Sequence, residues 1–270
     1  MKSQAILAFS LSLAVISAAF GQQTPTPSGP QTDGLFRKVI LDSDQQVNGE
    51  YQDTLVDPME LAVAKDGRVF YAERKGVVKM WSPQTKQTTV IGTIEVENLS
   101  NLEDGLLGIT LDPNFLKNGW IYLNHSIPET GVDDIGQKTG TNRISRFTFK
   151  DGKIDMASEK KLLDIRTQRQ ECCHAGGSLT FDSKGNLYIS AGDNTNPFAS
   201  DGYAPIDQRP GRAPWDAEKS SANANDPRGR ILRGSAAADG TCRLVIPALL
   251  TDESRCFGWD LSGSIARPSG

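Results

Sequence analysis

One hairpin pattern recurs three times along the chain and constrains the fold more than any other feature. Each copy has an apolar strand, a polar turn that ends in glycine, and a second strand that carries an aromatic residue. The copies span residues 60–72, 107–123 and 178–190, with turn glycines at positions 67, 119 and 185. A hairpin unit that returns every fifty or so residues is typical of a β-propeller, whose blades are four-stranded sheets.

Further strand-forming runs lie between the copies and supply the other strands of each blade. They are residues 77–81, 88–91 and 143–149. Long helical periodicity is hard to find after residue 35, where short apolar runs alternate with Asp-Gly, Asn-Gly and Lys-Gly turns. We therefore expect an all-β fold, a β-propeller, over residues 35–234. A β-sandwich is the alternative architecture, but it does not require this repeat.

Composition and charge narrow the function classes. Hydrophobic residues make up 37% of the 270-residue chain, which is enough for a packed core. The formal net charge of -4 argues against a broad nucleic-acid-binding surface. With two His and four Cys, the chain has too few ligands for a large His-based or Cys-rich metal cluster.

The N-terminal segment has the pattern of a secretory signal. Lys2 provides the positive charge, residues 6–20 form an apolar stretch, and Ala19-Phe20-Gly21 is a small-x-small cleavage site. We expect a signal peptide over residues 1–21 and a disordered linker over residues 22–34. The alternatives are a buried helix and a membrane anchor, but the stretch is short for a span. The mature protein is therefore expected to be exported, periplasmic or extracellular, with no membrane span, in a compartment that permits disulfides.

His174 and Asp193 lie at the two ends of the third hairpin. His174 comes shortly before Gly176 and Gly177, which let backbone approach closely, and the strand that follows enters a blade. In a propeller such an entrance faces the central channel, where ligands bind. An imidazole there can act as a general base, and a carboxylate on one ring nitrogen would leave the other free to take a proton. The alternatives are a histidine that caps the strand and an aspartate that binds turn N–H groups.

Three stretches together carry a family resemblance. They are the hairpin from His174 to Asp193, residues 104–115 (Asp-Gly-Leu-Leu-Gly-Ile-Thr-Leu-Asp-Pro-Asn-Phe) and residues 229–233 (Gly-Arg-Ile-Leu-Arg). In order and spacing they resemble the soluble quinoprotein glucose/sorbosone dehydrogenases, over roughly residues 50–233. Each stretch is a weak match alone, but the combination is specific.

The resemblance implies a fold, cofactors and roles for residues. It implies a six-bladed propeller that binds pyrroloquinoline quinone (PQQ) on its axis, together with Ca²⁺. His174 would take the proton of a sugar or polyol hydroxyl while hydride passes to the quinone, and Asp193 would orient that histidine. An external electron acceptor would then reoxidise the cofactor.

Two further positions match substrate-facing residues of the family. Glu103 stands where the family typically has a polar residue, often an amide, so a carboxylate here can bond a sugar hydroxyl but changes the local charge. Cys173 stands where the glucose enzyme has an acidic residue. Both departures put the identity of the sugar in doubt.

The adjacent pair Cys172-Cys173 has several possible states. In an exported chain the two can form a vicinal disulfide beside the site. The alternatives are pairing with Cys242 or Cys256, or free thiols, because sequence does not give connectivity. A zinc site is not expected, since among histidines His174 alone lies near these cysteines in the sequence.

A long polar segment follows Asp193. Residues 193–202 are rich in oxygen ligands, so calcium could bind there, although turn formation also explains the composition. The continuation to Asn225 has the character of a long loop over one face and could wall the substrate cleft.

The resemblance fades in the C-terminal region. Asp239-Gly240-Thr241 fits a further hairpin, but the Arg-Asn-Pro motif expected next is absent, and residues 251–270 lack strand alternation. We interpret residues 235–270 as a divergent tail, of the kind that truncation or a shifted reading frame would give. On this interpretation three to four blades are present, the cationic residues that grip the quinone are missing, and the chain is inactive, marginal in stability or prone to aggregate.

Sugar oxidation therefore has two rivals. One is a non-catalytic extracellular propeller that binds carbohydrate or acts as a scaffold, with His174 structural. The other is a lactone-hydrolysing propeller with a bound metal, which would need a cluster of carboxylates around the axis that cannot be assembled from this sequence.

Overall fold

The structure is a computed structural model, which describes most of the chain between residues 38 and 245. The described residues are 38–48, 50–52, 54–97, 103–128, 131–133, 136–198, 200–236 and 242–245. The predicted signal peptide, the linker and most of the predicted tail lie outside them. The chain divides into one unit of Met1–Val39 and a second of Ile40–Gly270, and all the strands belong to the second.

A short hairpin of β1 (Gln45–Val47) and β2 (Glu50–Gln52) precedes three antiparallel sheets, each with four strands in chain order. The first sheet contains β3 (Pro58–Val63), β4 (Val69–Glu73), β5 (Val77–Ser82) and β6 (Gln87–Thr93). The second contains β7 (Leu106–Leu111), β8 (Trp120–Ser126), β10 (Lys138–Lys150) and β11 (Lys153–Gln168), and β9 (Gly131–Val132) pairs with β10. The third contains β12 (Gly176–Phe181), β13 (Asn186–Ala191), β14 (Arg230–Ala236) and β15 (Cys242–Val245). Helix is limited among the described residues to α1 (Phe115–Asn118) and two 3-10 turns, Ala213–Trp215 and Ala217–Lys219.

The three sheets stack face to face, with their first strands side by side. β7 lies between β3 and β12, and two apolar cores fill the spaces between sheets. Phe70, Leu123 and Phe147 pack in the first core, and Ile144 and Leu232 in the second. The inner strands of the middle sheet, β7 and β8, lie between the two cores, which explains why they carry nearly continuous runs of buried residues. Face-to-face four-stranded sheets around a shared line of first strands are propeller blades, so the predicted all-β propeller is confirmed.

The three repeated hairpins form as the sequence predicts. Gly67, Gly119 and Gly185 close the β3–β4, β7–β8 and β12–β13 connections with φ values of 86°, 65° and 81°. Side chains disfavour this left-handed conformation, which is why glycine ends each polar turn.

The third sheet continues past the predicted end of the blades. β14 runs to Ala236 and pairs with β15, so the predicted boundary at residue 234 falls inside a sheet. On the first sheet, Leu61 and Val63 remain exposed, and the predicted tendency to aggregate stays a prediction. Within the described residues, no helix is long and apolar enough to cross a membrane.

Candidate active site

The hairpin of β12 and β13 brings His174 and Asp193 into contact. Gly176, at the start of β12, pairs with Ala191, at the end of β13, so the residues just outside the two strands meet. His174 Nδ1 lies 2.8 Å from Asp193 Oδ1. The contact predicted from the two ends of this hairpin is therefore present.

The Asp193 carboxylate determines which nitrogen of the His174 ring is available. Asp193 Oδ1 also accepts a hydrogen bond from the Thr195 N–H at 3.0 Å, so the carboxylate is fixed on the backbone. With the Nδ1–H donating to this carboxylate, the Nε2 lone pair is left to accept a proton. The His174 side chain is 44% exposed, so a small molecule can reach it.

Backbone hydrogen bonds hold the two ends of the hairpin at this distance. The His174 carbonyl accepts from the Asn194 N–H, and the Ala175 carbonyl accepts from the Gly192 N–H, both at 3.2 Å. A Cβ on residue 192 would lie 1.7 Å from the His174 carbonyl oxygen, so only glycine fits there. The close approach explains the glycine between Ala191, the last residue of β13, and Asp193.

Gln168 fixes the segment that leads from β11 to His174. Its backbone N–H donates to Asn194 Oδ1 at 2.6 Å, and its side-chain Nε2 donates to the Glu171 carbonyl at 2.9 Å. Its Oε1 accepts from the Glu171 N–H at 2.9 Å. The turn before His174 is therefore tied to the residue that follows Asp193.

The two cysteines before His174 are joined to each other. A disulfide links Cys172 and Cys173, both half-buried, and the peptide bond between them is cis. Neither sulfur is then a thiolate that could bind zinc. The side chains of Cys242 and Cys256, the alternative partners, lie outside the described residues.

Glu103, in the turn that precedes β7, contacts the backbone beside His174. Its Oε2 accepts a hydrogen bond from the Ala175 N–H at 3.1 Å. Glu103, Ala175 and Gly176 line a cavity of about 210 Å³, whose other wall includes Met59 and Arg74. Glu103 and His174 are thus neighbours, as the resemblance implies.

A buried ion pair lies behind Glu103. Asp104 is buried, and desolvation raises the pKa of its carboxyl. The buried guanidinium of Arg169 lies 3.7 Å away and opposes that effect. Because Arg169 directly follows β11, this pair joins the turn that carries Glu103 to the segment that carries His174.

Glu60 is a functional candidate that the sequence reasoning missed. Its Oε2 accepts from the N–H groups of Ile109, at 2.9 Å, and Leu179, at 3.3 Å. Its Oε1 accepts from the Ser178 hydroxyl. One carboxylate on β3 thereby ties β7 and β12, the strand that starts beside His174. A charged residue in the otherwise apolar strand Pro58–Val63 was the available signal.

The loop after Asp193 uses its oxygens for internal contacts. Asn194 Oδ1 accepts from Gln168, and Asp201 pairs with Arg209 at 3.3 Å. In the described part of the chain, no group of three His, Cys, Asp or Glu side chains is placed to hold a metal. The calcium suggested for residues 193–202 therefore has no assigned ligands.

A buried aspartate anchors the long segment that follows. Asp207 pairs with Arg209 at 2.8 Å and Arg212 at 3.2 Å, and its carboxylate accepts from the Ser200 hydroxyl. The hydrogen bond from Arg209 is the main reason that the pKa of Asp207 lies well below its usual range. These contacts tie the segment together from residue 200 to residue 212, and its role as a wall of the substrate cleft stays a prediction.

Comparison with known families decides the class of protein. The model of the family "Glucose / Sorbosone dehydrogenase" matches residues 55–211, more than half of the chain. The chain belongs to the glucose/sorbosone dehydrogenase family. The predicted family is thereby confirmed; the match includes residues 104–115 and the hairpin from His174 to Asp193, whereas residues 229–233 lie outside it.

The individual proteins that the chain is similar to share less than 30% of their aligned residues with it. The chain is 29% identical over 159 residues to the aldose sugar dehydrogenase YliI of Escherichia coli, covering 56% of this chain and 39% of that protein. It is 25% identical over 154 residues to the Hedgehog-interacting protein of Mus musculus, covering 53% and 22%. Among solved structures, the PQQ-bound aldose sugar dehydrogenase of Streptomyces coelicolor is similar at 22% identity and a TM-score of 0.45, covering 75% and 50%. The chain spans well under half the length of both curated relatives.

Proposed function

We propose that this glucose/sorbosone dehydrogenase family member takes part in PQQ-dependent oxidation of a sugar or related alcohol, with His174 as the base. The contact between His174 Nδ1 and Asp193 Oδ1 carries the proposal. It orients an accessible ring so that Nε2 can take the proton of a substrate hydroxyl, while Asp193 stabilises the imidazolium that forms. Two further residues would face the substrate. Glu103 contacts the backbone of Ala175, next to His174, and Cys173 directly precedes His174 in the sequence.

The lining of the cavity beside Glu103 supports a place there for one side of the quinone. When bound, PQQ supplies the acceptor for the hydride that leaves the carbon bearing the hydroxyl. In the cavity that Glu103 lines, Met59 and Leu107 offer apolar surface. Arg74, which also pairs with Asp57 at 3.3 Å, contributes a guanidinium to the same cavity. Because the cofactor has several carboxylates, Arg74 would be one of a larger set of cations, and Ca²⁺ is proposed from the family alone.

Substrate recognition rests on the Glu103 carboxylate. It is already held by the Ala175 N–H through Oε2, which leaves Oε1 to accept a hydrogen bond from a substrate hydroxyl. An acceptor here favours a neutral sugar or polyol over an anion. Export to the periplasm or beyond, where such substrates occur, is proposed from the signal sequence.

The test is dye reduction by the full chain supplied with PQQ and Ca²⁺, over a panel of aldoses and polyols. We expect His174→Ala to lower kcat by about 10²-fold or more, since a positioned base contributes about that much. Lys184→Ala, in the turn of the same hairpin, is the matched control and should leave kcat unchanged. Equal rates in wild type and His174→Ala would remove His174 as the base.

A second candidate is a non-catalytic binding propeller. The similarity to a protein named for its interaction with Hedgehog favours it, because that relative is described by a partner rather than by a reaction. On this view the His174–Asp193 contact stabilises the hairpin. Absence of dye reduction in the wild type, with saturable binding of a sugar, would support this candidate over oxidation.

A further inference from the structure

The disulfide between Cys172 and Cys173 lies directly before His174 in the chain. Both cysteines keep part of their surface exposed, and neither belongs to the two apolar cores between the sheets. The proposed oxidation places Cys173 beside the substrate but gives the bond between the two sulfurs no role. What this bond does for the backbone that carries His174 can be read from the hydrogen bonds on either side of it.

The chain is fixed as far as Glu171, on the N-terminal side of the disulfide. The Gln168 side chain holds both backbone groups of Glu171, its N–H through Oε1 and its carbonyl through Nε2, each at 2.9 Å. The Glu171 carboxylate also accepts a hydrogen bond from Asn196 Nδ2 at 2.9 Å. Glu171 is therefore a firm anchor.

The chain is fixed again from the carbonyl of His174 onward. That carbonyl accepts from the Asn194 N–H at 3.2 Å, and the next N–H, of Ala175, donates to Glu103 Oε2 at 3.1 Å. Between the two anchors, His174 has a φ of 57°, in the left-handed region. Residues with a side chain disfavour this region, so His174 keeps it only because the chain is constrained on both of its sides.

The two cysteines form the link between these anchors. Among the described residues, neither the backbone N–H nor the carbonyl of Cys172 or Cys173 takes part in a hydrogen bond. The bond between the sulfurs is therefore the restraint that defines this link. Once it is broken, the sulfurs cannot stay at bonding distance, so the two side chains move apart and the backbone between the anchors gains freedom.

We propose that the disulfide of Cys172 and Cys173 is a redox switch of the candidate active site, opened by a dithiol reductant. A thiolate of the reductant attacks one sulfur of the pair, and its second thiol then closes a disulfide within the reductant. Two electrons and two protons pass to the protein, one S–S bond breaks and one forms, and both cysteines become thiols. With the link open, His174 leaves the left-handed conformation and its ring loses the contact with Asp193.

Thiol titration and hydrogen exchange test the switch without quinone or sugar. In Cys242→Ser/Cys256→Ser, the pair provides the remaining two of the four cysteines, so native treatment with dithiothreitol should raise the titratable thiols from none to two per chain. Amides of residues 171–177 should then exchange about tenfold faster or more, and reoxidation should reverse this, whereas amides of β13 should keep their rate. Failure to release thiols, or unchanged exchange in the reduced chain, would overturn the proposal.

The effect on activity rests on the proposed function and is measured with variants, because a dithiol would reduce the dye itself. Cys172→Ser keeps the link open while leaving Cys173 in place. It should lower kcat for dye reduction, with PQQ and Ca²⁺ present, about tenfold or more, since a small displacement of a catalytic group has an effect of this size. Cys242→Ser is the matched control and should retain the wild-type rate.

The outcomes for the switch and for the oxidation are distinguishable. Equal kcat in wild type and Cys172→Ser would overturn the switch while leaving the oxidation in place. Absence of dye reduction in the wild type would count against the oxidation, whereas release of two thiols with faster exchange around His174 would still support the switch.

Discussion

His125 offers a test of the second blade that needs no ligand. It lies on β8, is 5% exposed, and places Nε2 3.3 Å from the Ser145 hydroxyl. Its Nδ1 has no partner among the described residues, and Glu159 lies 3.9 Å from Nε2. Burial of the His125 ring favours its neutral form over the protonated form.

Burial lowers the pKa of His125 from 6.5 to about 4, although the nearby Glu159 opposes the shift. The unfolded chain therefore takes up a proton on this residue at higher pH than the folded chain does. Stability should be unaffected by His125 above about pH 6.5 and should fall as the pH drops towards 4. A shift of this size corresponds to a loss of about 3 kcal/mol.

Urea unfolding at pH 7 and pH 4 measures this loss. His125→Gln keeps a polar group near Ser145 but cannot titrate, so the difference in unfolding free energy between the two pH values should shrink by about 3 kcal/mol. His174→Gln removes the other histidine of the chain and should retain the His125 contribution. The same pH dependence in wild type and His125→Gln would refute the argument.

Other predictions follow from single contacts. Glu60→Ala leaves two N–H groups and a hydroxyl without an acceptor and should cost about 2 to 4 kcal/mol in urea unfolding, whereas Glu95→Ala, at an exposed position, should cost under about 0.5 kcal/mol. Gly177→Ala should cost more than Gly185→Ala, because its Cβ would lie 2.5 Å from a leucine Cβ while the space around the turn glycine is open; equal losses would contradict this. In a tryptic digest without reductant, the peptide Gln170–Lys184 should be lighter than its dithiol form by two hydrogen atoms, and attachment of another peptide would disprove the adjacent disulfide.

The repeat pattern was enough to predict the blades and the contact at the site. Each hairpin combines apolar strands with a turn glycine at positive φ, and both are local properties of the sequence. Because the two ends of a hairpin must meet, the proximity of His174 and Asp193 followed from the spacing alone. The predicted strands at residues 77–81, 88–91 and 143–149 lie within β5, β6 and β10.

The features that the sequence did not predict depend on contacts between distant parts of the chain. β11, the outermost strand of the second blade, is rich in charged residues and has little apolar alternation, so its pairing partner determines its structure. Glu60 lies 118 residues from Ser178, and no local pattern reports that bond. A cavity lined by Thr167, Asp193 and Asn225 likewise forms only because the long segment after β13 folds back on the second blade.

The central claim is that Asp193 holds His174 ready to take a proton from a sugar hydroxyl. The most direct test is kcat for dye reduction, with PQQ and Ca²⁺ present, in Asp193→Asn and in Asp201→Asn. We expect Asp193→Asn to lower kcat by about 10²-fold or more, because the orienting carboxylate is lost. Asp201→Asn, which changes an exposed aspartate of the same loop, should retain the wild-type rate. Wild-type kcat in Asp193→Asn would contradict the account.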